Sequence, residues 1–344
     1  MSKARGLFDE QVRLEKLSKK QDPLERLGSH IDFEYFRGPL EKFFQKDSAD
    51  TSKGGRPPYD CILMFKVLIL QRYYNVSDDA MEYAILDRLS FMRFLALGIN
   101  DPAPDAKTIW LFRNTLTSGG MIEKLFTYLD KQLDRDGIIV HKGKLIDASI
   151  VEVPLQRNNR EQNKGIKEGE VPQEWSENKR RQKDTDARWT KKNGEDYFGY
   201  KNHIKADSKT KLITNYKATA ANIHDSQVFD ELVNKKEDGG QKVYADSAYR
   251  SEAIEEVCRT KNMESYIHEK GYRDKPLTKR QLQRNKTKSK TRVRVEHIFG
   301  FMTNTMNGMY LGYRNFVRNA VGIGLMNLTY NLFRLVQLNV ELKS

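Results

Sequence analysis

Three acidic residues lie inside apolar segments of this chain, and their placement constrains its fold more than any other feature of the sequence. Asp147 lies in KLIDASI, Asp246 in VYADSAY and Glu296 in RVRVEHIFGFM. A carboxylate among Ile, Val and Tyr loses hydration and needs a cation, a metal ion or hydrogen-bond donors in compensation. A basic partner or a cap at a turn explains each acid taken singly. Together they indicate a fold that brings all three to one point.

The sequence before these acids has a helical pattern. From about residue 7 to 136, apolar residues recur at intervals of three and four, as they do on the buried side of short helices. Ser77 and Asp105 precede two such segments and are typical N-cap residues. We therefore predict a helical N-terminal domain over residues 1–136.

The character changes near residue 139, where IIVHKGKLIDASIVEV alternates and is rich in Ile and Val, as strands are. YFGYKNHIKAD, KLITNYKATAA, KVYADSAY and SYIHE predict four more strands, with helices over about 252–259, 290–307 and 317–338. This order predicts an α/β domain over residues 137–344, with a mixed five-stranded sheet flanked by helices. Residues 155–196 are almost devoid of apolar side chains and predict a polar insertion of loop or partly disordered chain.

Such a sheet explains how the acids converge. Asp147 and Asp246 would lie on adjacent central strands, with Glu296 on a following helix. They would supply hard oxygen ligands, without the His or Cys that softer metals prefer. This donor set suits two Mg²⁺ or Mn²⁺ ions, which assist an in-line phosphoryl displacement. Cys61 and Cys258 lack the paired spacing of a thiolate zinc site.

The charge points to a polyanionic partner. Lys and Arg number 60 against 47 Asp and Glu, and the net charge is +13. RNA or an anionic membrane would satisfy the charge as DNA does, but residues 270–294 hold eleven basic residues and one acid, Asp274, directly before Glu296. We predict that this tract contacts nucleic acid through Arg284, Lys286, Lys288, Lys290, Arg292 and Arg294. The sequence has neither an apolar run long enough to span a membrane nor the pattern of a signal peptide, so we expect a soluble intracellular protein.

Seven phrases of the sequence resemble a known family. They are GRPPYDCILMFKVLILQRYYNVSDDAMEYAI, DPAPDAKTIWLFRNTL, KLIDASIVEVP, DARWTKKNGEDYFGYKNHIKAD, TAANIHDSQVF, VYADSAYRS and RVRVEHIFG. They occur in the order found in bacterial insertion-sequence transposases of the family typed by insertion sequence five, and the resemblance covers nearly the whole chain.

The resemblance implies an RNase H-like catalytic domain in which Asp147, Asp246 and Glu296 are the catalytic residues and hold two Mg²⁺ or Mn²⁺ ions. It implies hydrolysis at the ends of a mobile element, followed by attack of the exposed 3′-hydroxyls on target DNA. The partners would be double-stranded DNA, as transposon ends and target, and a second copy of the chain or more. The location would be the bacterial cytoplasm, at the nucleoid.

The helix of Glu296 departs from the family pattern at two positions. The family usually carries a Tyr, an Arg, the Glu and a Lys at set intervals, and Arg292 matches the Arg. Ser289 stands at the Tyr position and Thr303 at the Lys position. The departures leave the predicted metal ligands intact. They leave open whether a nearby basic residue replaces the lysine contact to DNA or whether this copy is weakened.

Several residues near these motifs have two interpretations. His297 follows Glu296 directly and points away from it, which favours a packing or supporting role over metal binding. His224 and Asp225 lie at a strand-to-helix junction, as a turn and a cap or as hydrogen-bonding support for the active site. Lys201 shares a strand face with His203, where it would reach a phosphate or simply face solvent.

Further DNA contacts are predicted outside the basic tract. Arg188 and Trp189 lie among basic residues of the insertion, where Trp189 would stack on an unpaired base or anchor the loop. The segment 106–116 follows a short helix and turn, as in a helix-turn-helix reader of terminal repeats, and would use Arg113. Trp110 in that segment fits the DNA-reading helix or the helical core equally.

Two alternatives to a transposase remain: a metal-dependent nuclease that does not join strands, and a transposase-derived protein that only binds DNA.

Overall fold

The computed structural model describes residues 9–46 and 57–343. By the density of its internal contacts the chain divides into two units, Met1–Leu125 with Leu328–Ser344, and Phe126–Asn327. The predicted boundary, between residues 136 and 137, lies eleven residues after the division between Leu125 and Phe126. The structure places the last residues of the chain with the N-terminal unit, whereas we had assigned them to the catalytic domain. The functions predicted for the two domains stay predictions.

The N-terminal unit is helical, as predicted. Its helices are α1 (Asp9–Lys19), α2 (Pro23–His30), α3 (Arg37–Lys46), α4 (Cys61–Tyr74), α5 (Asp78–Asp87), α6 (Leu89–Leu95), α7 (Ala106–Ser118) and the start of α8 (Met121–Arg135). Ser77 and Asp105 cap α5 and α7, and their side chains accept hydrogen bonds from the backbone N–H groups of Ala80 and Thr108. Helix α4 is buried along most of its length, so it forms the centre of this unit.

Arg113 belongs to the interior of this unit. Its side chain is 11% exposed and donates two hydrogen bonds to the carboxylate of Asp78, at 2.6 and 2.7 Å, and one to Gln71, at 2.9 Å. The guanidinium therefore ties α7 to α4 and α5. This pairing of the guanidinium with Asp78 and Gln71 does not favour the predicted contact between Arg113 and DNA, which stays untested. Trp110, on the same helix, is 42% exposed, which excludes the fully buried core position considered for it.

The second unit is built on a six-stranded sheet. Its strands are β1 (Lys144–Glu152), β2 (Arg188–Lys192), β3 (Glu195–Asp207), β4 (Ile213–Ala220), β5 (Lys242–Tyr244) and β6 (Glu264–Ser265). Strand β3 pairs antiparallel with β1 and β4, while β5 pairs parallel with β1 and β6. The order β4-β3-β1-β5-β6 is the RNase H-like arrangement, and the predicted fold is confirmed. The sixth strand, β2, extends the outer part of β3 and was not predicted.

Helices cover this sheet and anchor its central strands. They are the rest of α8, α9 (Arg160–Lys167), α10 (Glu177–Arg181), α11 (Phe229–Leu232), α12 (Lys235–Asp238), α13 (Glu252–Thr260), α14 (Lys279–Arg292), α15 (Arg294–Gly300) and most of α16 (Phe316–Leu338). Ile146, Val243 and Ala245 pack with Phe229 and Ile254 in one buried cluster. Burial of these neighbours fixes the strand positions that carry Asp147 and Asp246.

The structure corrects two expectations about local order. The polar insertion contains α9, α10 and β2, and it buries Trp175, so it is not a loop throughout. The basic tract forms helix α14, which begins after a capping box between Thr278 and Gln281. The helix predicted over residues 290–307 is interrupted at Val293 and continues as α15 and a π-helical turn, Phe301–Thr305.

Gly199 lies where β3 leaves β2 and joins β1, and the approach of the two backbones requires a glycine. Its φ is +156°, and a Cβ placed on it would lie 2.2 Å from the carbonyl oxygen of Val151. The carbonyl oxygen of Val151 is a backbone atom, so it cannot move away as the end of a flexible side chain can. Any larger residue at position 199 must therefore push the two strands apart.

We predict that Gly199→Ala lowers the free energy of unfolding by about 3 kcal/mol, because the new methyl group meets backbone and the backbone conformation is strained. Urea denaturation measures the loss. Gly300→Ala is the matched control, since a Cβ there meets nothing within 4 Å and the residue is helical. Equal stability of the two variants would contradict this account of the junction.

Candidate active site

Asp147 and Asp246 stand at the same level of two adjacent parallel strands. Leu145 of β1 pairs with Tyr244 of β5, and each aspartate lies two residues beyond its member of this pair. Asp246 also caps the short 3₁₀ helix Ser247–Tyr249, since its Oδ1 accepts a hydrogen bond of 2.8 Å from the N–H of Ala248. The sheet therefore brings together the two acids that were predicted to meet.

Glu296 is linked to Asp147, but not to Asp246, through Arg292. The guanidinium donates to Asp147 Oδ2 at 3.1 Å and to Glu296 Oε1 at 3.3 Å. Glu296 lies in the first turn of α15 with a side chain that is 60% exposed, whereas that of Asp147 is 18% exposed. The site is therefore covered at the sheet, where Asp147 lies, and exposed at α15, where Glu296 lies. The guanidinium of Arg292 lies between these two carboxylates.

The electrostatics of the site show a need for positive charge. Burial raises the pKa of Asp147 to about 6, and the negative charge of Asp246 adds to the rise. The N–H of Ala148, the guanidinium of Arg292 and the ammonium of Lys192 in β2 oppose it. A carboxylate whose charge remains this costly is a natural ligand for a metal cation.

The donor chemistry of these residues fits a hard divalent cation. Among the described residues, however, no three His, Cys, Asp or Glu side chains are gathered closely enough to hold a metal ion as they are placed. The guanidinium of Arg292 lies against Asp147 and Glu296 and so supplies positive charge at these two carboxylates.

Asp225 takes part in a charged cluster behind β3. Its Oδ1 accepts a hydrogen bond of 2.8 Å from Lys201 Nζ and lies 4.0 Å from His203 Nδ1. Lys201 also donates to the carbonyl of Ile223 at 2.7 Å. A phosphate contact by Lys201, one of the two roles considered, is therefore not favoured, because its ammonium is occupied and largely covered. The supporting role expected of Asp225 stays a prediction.

The other two predicted supporting residues lie on the surface. His224 is exposed and caps the 3₁₀ helix Asp225–Val228, the role expected of Asp225. Its Nδ1 lies 2.7 Å from the hydroxyl of Ser226. His297 is exposed as well, so the packing role expected for it was wrong.

Two residues near the aspartates were missed by sequence reasoning. Tyr249 is fully buried, its pKa is raised by burial and then by the charges of Asp225, Asp147 and Asp246, and its hydroxyl has no hydrogen-bond partner among the described residues. His268 follows β6, and its N–H donates to the carbonyl of Ala245, next to Asp246. The sequence contained a signal for each residue, because Tyr249 lies in VYADSAY and His268 lies in SYIHE. Both segments are strands with their carboxyl ends at one edge of the sheet, where the ends of parallel strands meet.

His268 also contacts the helix of the basic tract. Its Nε2 lies 3.3 Å from the hydroxyl of Ser289, the residue that stands at the Tyr position of the family pattern. Burial lowers the pKa of His268, and the charges of Arg292 and Lys288 lower it further. The hydroxyl and imidazole thus lie beside the carboxylates where a tyrosine was expected.

The basic residues predicted to bind DNA fall into two groups. Several are engaged within the protein: Arg188 with the carbonyls of Thr185, Ala187 and Ile166, Lys288 with the carbonyl of Ile267, and Arg294 with that of Ser208. The exposed ones are Arg284, Lys286 and Lys290 on α14. Trp189 is 53% exposed and packs on Phe198 at 5.3 Å between ring centroids, so it is both anchored and accessible. A DNA surface along α14 and β2 stays a prediction.

Comparison with known proteins shows the family of the chain. A family model described as Transposase DDE domain matches residues 140–332, and one described as Transposase domain (DUF772) matches residues 12–115. The chain therefore belongs to the family of transposases with a DDE domain.

A solved structure of piggyBac transposase in a synaptic complex with hairpin DNA is similar over 94% of this chain and 77% of that chain, with 12% sequence identity and a TM-score of 0.43. In residues 9–46 and 57–343, no helix is both long and apolar enough to cross a membrane.

We predict that the fold loses stability as the pH falls from 6.5 towards 4. Burial lowers the pKa of His203 to about 4, against opposing charges on Asp225 and Glu231, with Lys201 lowering it further. Over this range the unfolded chain binds a proton that the folded chain does not, so the free energy of unfolding falls by up to about 1.4 kcal/mol per pH unit.

Urea denaturation at pH 7 and pH 5 measures this dependence. In His203→Gln the difference between the two values should shrink, since Gln keeps a hydrogen-bonding group towards Thr219, the partner of His203 Nε2 at 2.8 Å, but does not titrate. The control His297→Gln, at an exposed position, should keep the dependence of the parent chain. An unchanged dependence in His203→Gln would refute the assignment.

Proposed function

We propose that this protein is a DNA transposase of the type of insertion sequence five, which binds the terminal inverted repeats of its element and catalyses strand cleavage and strand transfer. Asp147, Asp246 and Glu296 are its catalytic residues and the ligands of two Mg²⁺ or Mn²⁺ ions. The observation that carries the proposal is the placement of Asp147 and Asp246 at one level of an RNase H-like sheet, with Glu296 linked to Asp147 through Arg292.

The chemistry has two steps at one site. In the first, water attacks the phosphorus at the element's end; the bond to the 3′-oxygen breaks, and that oxygen leaves as a 3′-hydroxyl. In the second, this hydroxyl attacks a phosphodiester of the target, a new ester bond forms, and a target 3′-hydroxyl is released. Divalent ions, when bound, activate the attacking oxygen and stabilise the leaving one.

The protein's own residues prepare this site. The buried strands hold the two aspartates rigidly, and Asp225 and Tyr249 lie behind them. Glu296 approaches from the exposed side, so substrate can enter there. Arg292 neutralises the carboxylates in the absence of substrate and is free to turn towards a phosphate when its place is taken. This exchange supports cleavage without leaving buried acids unpaired at any stage.

The exposed cations of α14 would guide DNA to the site. Arg284, Lys286 and Lys290 lie on the helix that ends at Arg292, so phosphates attracted by them approach the carboxylates. Joining two transposon ends requires two active sites, which supports a homodimer or larger assembly on DNA. A transposase of this type would act in the bacterial cytoplasm at the nucleoid.

We predict that Asp246→Asn abolishes both cleavage and strand transfer, with a loss of at least about 10³-fold, while DNA binding is retained, because the neutral amide cannot replace a carboxylate ligand. The measurement incubates purified protein with labelled duplex from the sequence flanking its gene, with Mg²⁺ or Mn²⁺, and separates nicked from joined products.

Asp274→Asn is the control, since this acid of the basic tract lies outside the carboxylate group and should leave both products unchanged. Cleavage without joining by the parent chain would identify a nuclease. Binding without either product would identify a disabled transposase that acts as a DNA-binding protein. Full activity of Asp246→Asn would refute the assigned role.

A further inference from the structure

Helices α5 and α7 pack side by side at the surface of the N-terminal unit. Near one end of the pair, Asp78 of α5 forms an ion pair with Arg113 of α7. Near the other end, the carboxylate of Glu82 accepts a hydrogen bond of 2.8 Å from the N–H of Ala106. The two helices are therefore antiparallel. Each buries one side within the unit, so the pair has one side left for solvent.

The solvent side of this pair carries four large apolar side chains, which we call the α5–α7 face. Tyr83 and Leu86 lie three residues apart on α5, and Trp110 and Leu111 are neighbours on α7. The antiparallel packing places Tyr83 level with the first turn of α7, so the two pairs are adjacent. The four side chains are between 42% and 69% exposed. With about 200 Å² for a fully exposed side chain of this size, they expose roughly 450 Å². Apolar surface of this extent on a soluble protein marks an interaction site.

The exposed charges around the α5–α7 face are divided between its two helices. Helix α5 carries Asp79 and Asp87, and α7 carries Lys107. The other cation of α7, Arg113, is paired with Asp78 within the unit. Two acids against one base do not attract phosphates, so the face does not favour DNA as its partner. An apolar centre with charges at its edge is instead typical of a contact between proteins.

A second copy of the chain fits both the apolar centre and the charges. In a two-fold dimer the same face lies on both sides of the contact, and α5 of each copy can lie against α7 of the other. Asp79 and Asp87 of each copy then approach Lys107 of the other, so the attraction occurs twice. The two faces together cover about 900 Å² of apolar surface, and their polar edges extend the contact towards the 1,200–2,000 Å² of stable interfaces.

We propose that the α5–α7 face joins two copies of this chain in a two-fold dimer before DNA binds, with α5 of one copy against α7 of the other. The inference rests on the proposed function and deepens it, since the joining of two transposon ends requires two active sites. It gives α7 a protein partner, in place of the DNA contact that a helix-turn-helix reader would make.

Sedimentation equilibrium of the full chain without DNA measures the association. We expect a mass of twice 40.1 kDa at micromolar concentration. Leu111→Lys places a charge in the apolar centre and should weaken the dimer at least about tenfold, because the ammonium group would lose its hydration in the contact. Leu155→Lys, at an exposed leucine of the polar insertion, is the matched control and should keep the mass of the parent chain.

Reversal of the charges tests which helix meets which. Lys107→Glu alone sets like charges against Asp79 and Asp87 of the other copy, and the double variant Asp79→Lys, Asp87→Lys sets like charges against Lys107. Each variant alone should weaken the dimer about tenfold or more. In an equal mixture of the two variants every charged pair has opposite signs again, so the mass should return to that of the dimer. A misfolded variant could not recover in this way.

The outcomes separate this interface from the proposed function. A monomeric parent chain, a mass unaffected by Leu111→Lys, or a mixture that stays monomeric would refute the interface, while cleavage and joining of DNA would still support the transposase. If Leu111→Lys keeps the dimer but loses affinity for the terminal repeats, the face is a DNA surface and the proposal is overturned. A dimer that responds as expected but neither binds nor cuts DNA would support the interface and refute the proposed function.

Discussion

The contact of Arg292 with Asp147 and Glu296 is the interaction on which the rest of the site depends. Burial raises the pKa of Asp147 in β1, and the charge of Asp246, which follows the adjacent strand β5, raises it further. Without a cation the folded chain would carry this cost in full. The guanidinium, at 3.1 Å from Asp147, supplies positive charge and draws Glu296 of the next helix towards the same point.

The two sides of the site are built differently. One side lies on the buried sheet and the other on the helices α14 and α15. Asp147 lies within β1 and Asp246 follows β5, and their neighbours Ile146, Val243 and Ala245 are buried in the core. Arg292 ends α14, and Glu296 lies in a separate short helix after the interruption at Val293. The aspartates therefore belong to the sheet, whereas Arg292 and Glu296 belong to two exposed helices beside it.

The sequence predicted the three carboxylates and the RNase H-like sheet because both leave local signals. An acid inside an Ile- and Val-rich strand is conspicuous, and alternation marks the strands. The differences between expectation and structure have physical causes as well. Only the tertiary structure reveals that Arg113, expected to contact DNA, is paired with Asp78. The polar insertion looked loop-like because its order depends on burial of Trp175 rather than on a periodic apolar pattern.

The contact of His268 with Ser289 could not be predicted, because it joins residues distant in sequence. The central claim of this account is that the carboxylates form a metal site, and binding of Fe²⁺ tests that claim most directly. Fe²⁺ takes the place of Mg²⁺ and, with ascorbate and peroxide, cleaves the polypeptide beside its ligands. The account predicts three cuts, near residues 147, 246 and 296, that excess Mg²⁺ suppresses and Asp147→Asn removes. Cuts elsewhere, or cuts that persist in this variant, would contradict it.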